Sequence, residues 1–159
     1  MQRQKDIIEG AFEERASLTP QNVSQEIKST VDEIIHHLDK GTARIAEKIN
    51  GEWKTHEWLK KAVLLYFRTQ ENEVISAGFT QFYDKVPLKY QLDKQEDLIA
   101  GGVRIAPHAI ARRGAYIAPN TILMPSYVNI GAYIGCERRG GPVCFGSAGY
   151  HIGVTRKDN

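Results

Sequence analysis

Residues 105–134 read IAPHAI ARRGAY IAPNTI LMPSYV NIGAYI, five consecutive hexads: Ile105–Ile110, Ala111–Tyr116, Ile117–Ile122, Leu123–Val128 and Asn129–Ile134. The sixth position is aliphatic in four of them and Tyr116 in the other; the first positions are Ile, Ala, Ile, Leu and Asn. Pro or Gly falls at the third or fourth place of every hexad. A six-residue rhythm of this kind is the signature of a parallel β-helix. Each hexad makes one short flat strand and a turn, and three hexads close a triangular coil. The recurring aliphatic side chain is expected to point inward and stack on its counterpart one coil on. Five hexads make fewer than two coils, which leaves an unpaired strand edge and little core.

The residues before this array have a different texture, mixed helix and strand. Ile7, Ile8, Ala11 and Phe12 recur at helical spacing among charged neighbours, so one amphipathic helix is expected there. Thr19 offers a cap and Pro20 a first turn to a second helix running through Val23, Ile27, Val31, Ile34, Ile35 and Leu38, with Gly41 as its stop. Asn50-Gly51 inside RIAEKINGEWK marks a two-residue hairpin, since both residues tolerate positive φ. Thr55 is the expected cap of a third helix, about His56 to Phe67, whose second half is apolar nearly all round and which should be the most buried. Its Trp58 reads as core rather than as a ligand platform.

Composition excludes several classes. The chain has 159 residues, a formal charge of +2, 42% hydrophobic and 25% charged residues, which is ordinary for a globular protein. The pairs Arg112-Arg113 and Arg138-Arg139 are not interleaved with aromatic residues, so they read as solvated side chains and no nucleic acid is expected. MQRQKDIIEGAFEE has no apolar core of a signal peptide, and no run approaches about 18 apolar residues, so no export and no membrane span are expected. Two cysteines, Cys136 and Cys144, then suit a reducing cytoplasm, and with His151 they lack the spacing of a metal site. His108 is the only histidine between His56 and His151, too few for a β-helix metal enzyme, and reads as a turn residue rather than a general base. Gly140-Gly141 and Gly146 lack the context of a phosphate loop.

Three blocks carry a resemblance: AEKINGEWKTHEWLKKAVLLYFR (46–68), YDKVPLKY (83–90) and RIAPHAIARRGAYIAPNTILMPSYVNIGAYI (104–134). Together they resemble the tetrahydrodipicolinate N-succinyltransferases of lysine and diaminopimelate biosynthesis, from near Met1 to about Gly135. The resemblance implies an α/β N-terminal domain at 1–102, the start of a left-handed parallel β-helix at 103–135, and a homotrimer. It implies succinyl transfer from succinyl-CoA, a co-substrate, to tetrahydrodipicolinate, with no tightly bound cofactor and no metal. The acceptor is a dicarboxylate, and the resemblance places Arg104 as its ligand. A guanidinium fork suits a carboxylate in a way that lysine does not.

Beyond Gly135 the likeness stops. Where the family has a stretch like DEGTMVDTWATVGS, whose second aspartate lies by the acceptor amine, this chain reads Cys136-Glu-Arg-Arg-Gly-Gly-Pro-Val-Cys-Phe-Gly146, with Gly141 at the aspartate's place. No catalytic residue can therefore be assigned, and 136–159 is expected to be an irregular tail left by a frameshift or early stop in a longer gene. The expected consequence is an incomplete transferase with little activity alone. The alternative is a non-catalytic trimerisation or dicarboxylate-binding fragment.

Overall fold

The computed structural model describes residues 1–78 and 80–135, together with the backbone of 144–146. Helix α1 (Gln2–Glu13) buries Ile8 and Ala11, two of the four residues whose spacing announced it. Helix α2 (Gln25–Asp39) starts later than expected. Thr19 and Asn22 bond to each other, Thr19 N–H to Asn22 Oδ1 at 2.7 Å and Asn22 N–H to Thr19 Oγ1 at 3.3 Å. The turn begun at Pro20 closes on itself there, and Ser24 takes over as cap, its hydroxyl accepting from Ile27 N–H at 3.3 Å. The far end agrees with the sequence. Gly41 (φ +72°) donates to Leu38 O and Thr42 N–H to His37 O, a Schellman stop.

Strands β1 (Ala46–Ile49) and β2 (Glu52–Thr55) form the Asn50-Gly51 hairpin, in register from Ile49–Glu52 to Ala46–Thr55. Thr55 is thereby held in the ladder and does not cap helix α3 (Glu57–Thr69). His56 occupies the cap position without a side-chain cap, because its ring is drawn to Glu47, Nε2 to Oε1 at 2.6 Å. Helix α3 buries Leu59, Ala62, Val63, Leu65, Tyr66 and Thr69 and touches both α1 and α2; Trp58 packs at the edge of their common core. A second hairpin, β3 (Glu73–Ser76) with β4 (Gln81–Asp84), and a short helix α4 (Gln95–Gly101) complete this α/β part.

From Arg104 onward the described residues make only short strands: β5 (Arg104–Ile105), β6 (Ile110–Ala111), β7 (Tyr116–Ile117), β8 (Thr121–Leu123), β9 (Tyr127–Val128), β10 (Tyr133–Ile134) and β11 (Cys144–Gly146). Each pairs in parallel with the third one along, giving ladders β5·β8·β11, β6·β9 and β7·β10. Ile105 opposes Leu123, Ala111 opposes Val128 and Ile117 opposes Ile134, and all six contribute to a second core. The hexad rhythm leaves the inward position open, and the ladders identify it. It is the first residue of each of the first four hexads: Ala111, Ile117 and Leu123 are buried and half-buried Ile105 packs on them, while half-buried Ile110, Tyr116 and Ile122 are not part of this core. Partners in β5·β8 are 18 residues apart but 17 in the other two ladders, so the side from Leu123 to Val128 is one residue short. That single deletion moves the inward place to the sixth position for Val128 and Ile134 and hides the change of phase in a plain hexad count.

Two stacked turns join the cores. Ile130, 1% exposed, leaves its own coil and enters the helical core. Gly114 and Gly131 sit one above the other, Gly131 N–H to Gly114 O at 2.9 Å, with φ of +87° and +83°. A Cβ on Gly114 would lie 2.7 Å from Ile130 and 3.1 Å from Ile35, and one on Gly131 would lie 2.5 Å from Ile45. The missing side chains let α2 and α3 close onto this corner.

Candidate functional site

Arg104 opens β5 and is exposed. Its strand partner is Ile122, and among the described residues its guanidinium has neither an ion-pair nor a hydrogen-bond partner. The backbone beside it is well anchored. Gly102 ends α4 in the left-handed region and its carbonyl accepts from Asn120 N–H at 2.7 Å. Asn120 (φ +62°) and His108 (φ +68°) are themselves turn residues, and His108 is exposed, as a turn histidine should be. The residue thus stands on a fixed strand with a planar fork that no described residue engages, and such a fork suits a carboxylate.

Arg112 and Arg113 are spent on structure, which corrects their reading as solvated charges. Arg112 donates to Asp84 Oδ2 at 2.6 Å and to Asn129 Oδ1 at 3.1 Å, its guanidinium 5.5 Å from the Tyr127 ring centroid. Its Nε is buried with no hydrogen-bond partner. Arg113 makes a two-pronged bond to Asp32 at 2.7 and 3.2 Å and reaches Tyr66 Oη at 3.4 Å. The Asp32 hydrogen bond raises the already high pKa of Arg113, and burial raises that of the Tyr66 hydroxyl. Lys89 bonds Asp39 Oδ1 at 2.7 Å, and the same oxygen accepts from Gly114 N–H at 2.9 Å. Burial, then the carboxylates of Asp39 and Asp93, raise the pKa of the neighbouring Tyr90. Arg44 lies 3.6 Å from the centroid of the Tyr133 ring, which packs on Tyr116 at 4.5 Å. Arg112 and Arg113 tie the ladder region to Asp84 of β4 and Asp32 of α2, Asp39 holds both Lys89 and Gly114, and among the described residues Arg104 belongs to none of these contacts.

Sequence reasoning had no means of pairing Lys89, Arg112 and Arg113 with their carboxylates, which lie 28 to 81 positions away. Gly141, Cys136, Arg138-Arg139, His151 and all of 147–159 lie outside the described residues, and of Cys144 only the backbone is described. Among the described residues no cluster of His, Cys, Asp and Glu is arranged to hold a metal ion, and no helix is long and apolar enough to cross a membrane.

The family model of the tetrahydrodipicolinate N-succinyltransferase N-terminal domain matches residues 3–69, from α1 through α3. A Sodalis glossinidius protein named 2,3,4,5-tetrahydropyridine-2,6-dicarboxylate N-succinyltransferase is 55% identical over 134 residues, 84% of this chain and 49% of the relative. The protein of the same name from Legionella pneumophila (strain Paris) is 55% identical over 127 residues, 80% of this chain and 46% of its own. The one from Burkholderia mallei (strain SAVP1) is 54% identical over 134 residues, again 84% and 49%. Over most of its length this chain is similar to the N-terminal portion of the tetrahydrodipicolinate N-succinyltransferases.

The family is one of acyl-group transferases by the names of its members. The chain spans about half the length of the curated relatives it matches. A 134-residue match within 159 residues necessarily includes residues 26–134, so Arg104 and the first six strands of the ladders lie inside the likeness to the succinyltransferases.

Proposed function

We propose that this chain supplies the acceptor-binding part of an N-succinyltransferase that moves a succinyl group from succinyl-CoA to the amine of ring-opened tetrahydrodipicolinate. The observation that carries this reading is Arg104: exposed on a fixed strand, unpaired among the described residues, and inside the stretch shared with proteins named for a dicarboxylate substrate. The three ladders are, in this reading, the first coils of a left-handed parallel β-helix, about which three copies assemble in the cytoplasm. No tightly bound cofactor takes part; succinyl-CoA comes and goes as co-substrate.

The chemistry is acyl transfer. The acceptor amine attacks the thioester carbonyl, the C–N bond forms, the C–S bond breaks, and CoA leaves as its thiol with the proton that the amine gives up. A positioned carboxylate would assist that proton transfer. Gly141 stands where the resemblance puts one, so this chain by itself is proposed to turn over little. A second reading, a dicarboxylate-binding and trimerising fragment without catalysis, shares the Arg104 site and differs only in this respect.

The test is a calorimetric titration of the chain with pimelate, a seven-carbon dicarboxylate. Binding is expected, and Arg104→Ala should weaken it about ten- to hundredfold, since a hydrogen bond to a charged group contributes about 1.5–3 kcal/mol. Arg104→Lys should recover only part of the loss, because an ammonium cannot form the two-pronged contact. Equal affinity in all three proteins would remove Arg104 from the site.

A further inference from the structure

Residues 91–102, QLDKQEDLIAGG, are built unlike the rest of the described chain. None of them is buried; Leu92 is 91% and Ile99 70% exposed. Helix α4, which this segment contains, makes no substantial contact with any other helix or strand among the described residues. Yet the helix is stiffened from within. Asp97 Oδ2 accepts from Lys94 N–H at 3.0 Å, Glu96 and Asp97 place negative charge in the first turn, and Gly102 closes the last turn with N–H bonds to Leu98 and Ile99 carbonyls. Its links outward are at the ends alone: Gln91 N–H to Leu88 O at 3.4 Å and Gly102 O to Asn120 N–H at 2.7 Å. The second of these is the joint, a Gly101-Gly102 pair with Gly102 at φ +63°. Arg104 follows two residues later, within about 7 Å along the backbone.

We propose that residues 91–102 are a strap that swings about Gly101-Gly102 and closes over the dicarboxylate held by Arg104, laying Ile99 against the methylene stem between its carboxylates. The inference rests on the Arg104 reading above. A short rigid element tethered at both ends, without substantial contact to another described helix or strand and carrying large apolar side chains into water, has little to hold it open; a ligand with an apolar middle gives those side chains something to cover. The segment also falls among the low-stability parts of a fold from which closing elements are drawn. Closure would exclude water from the Arg104–carboxylate contact and so strengthen it.

Hydrogen exchange followed by mass spectrometry on the full chain tests this, with pimelate as the probe. Saturating pimelate should slow exchange of the amides of 95–101 at least about tenfold while α2 amides are unchanged. Arg104→Ala should abolish that protection. Ile99→Asp, at a position exposed enough to leave folding intact, should weaken pimelate binding severalfold with an unchanged urea midpoint. Arg104-dependent binding without protection of 95–101 would overturn the strap and leave the Arg104 site standing. Pimelate binding that does not depend on Arg104, or no binding, would overturn both.

Discussion

Leu123→Ala is expected to destabilise the chain by about 2–5 kcal/mol, against less than about 1.5 kcal/mol for Ile122→Ala. The two residues are adjacent on β8, and the hexad rhythm alone does not say which of them faces inward. In the structure Leu123 is 0% exposed, faces Ile105 across the ladder and belongs to the second core, while Ile122 is half-buried beside Arg104. Removing the Leu123 side chain leaves a cavity in a core built of few residues, several of them alanines that cannot move to fill it. Removing Ile122 uncovers surface that water can reach. Urea unfolding of the two variants under the same conditions checks this. Equal losses, or a larger one at Ile122, would mean that the phase of the coils is the one the sixth positions suggest.

Gly114→Ala should cost about 2–5 kcal/mol although it adds a single methyl group. Two terms add. A non-glycine residue at φ +87° costs about 1–2 kcal/mol. The new Cβ also lies 2.7 Å from Ile130 Cγ1 and 3.1 Å from Ile35 Cγ2, both less than 2% exposed, and relieving such overpacking typically costs about 1–3 kcal/mol. The clash falls on the contact between the two cores, and Asp39, which accepts from Gly114 N–H, also carries the Lys89 ion pair. The damage should therefore appear as a loss of coupling between helices and ladders. Gly10→Ala is the control, since a Cβ there meets nothing within 4 Å and the substitution should be neutral or slightly stabilising. Similar urea midpoints for the two variants would show that the helices do not pack on this turn.

Local signals explain what could be read in advance. The helices announce themselves through Ile8, Ile34, Ile35 and Leu59, whose spacing follows one face, and the hairpin through Asn50-Gly51, whose chemistry fixes its turn. Competing side chains explain the shifted boundaries. Asn22 satisfies Thr19 and so passes the cap to Ser24, and Glu47 takes His56 away from the helix it precedes. The hexads reveal repetition but not phase, because one residue is missing between Leu123 and Val128 and both the first and sixth places are mostly aliphatic. The ties between helices and ladders were illegible. Arg112, Arg113 and Lys89 look like surface charge until the fold brings Asp84, Asp32 and Asp39 to them. Arg104 could be singled out only through its place in a familiar stretch, as nothing in its own spacing marks it. What the structure adds is that it stands apart from those ties.

The most direct test of the proposed activity joins residues 1–135 of this chain to the corresponding C-terminal half of the Legionella pneumophila relative and assays thiol release from succinyl-CoA. The expected result is release that requires the amino-dicarboxylate acceptor and is lost on Arg104→Ala in the same folded chimera. A chimera that folds and binds succinyl-CoA but releases no thiol on addition of acceptor, or that works equally well without Arg104, would contradict the assignment of this chain as the acceptor-binding half of a succinyltransferase.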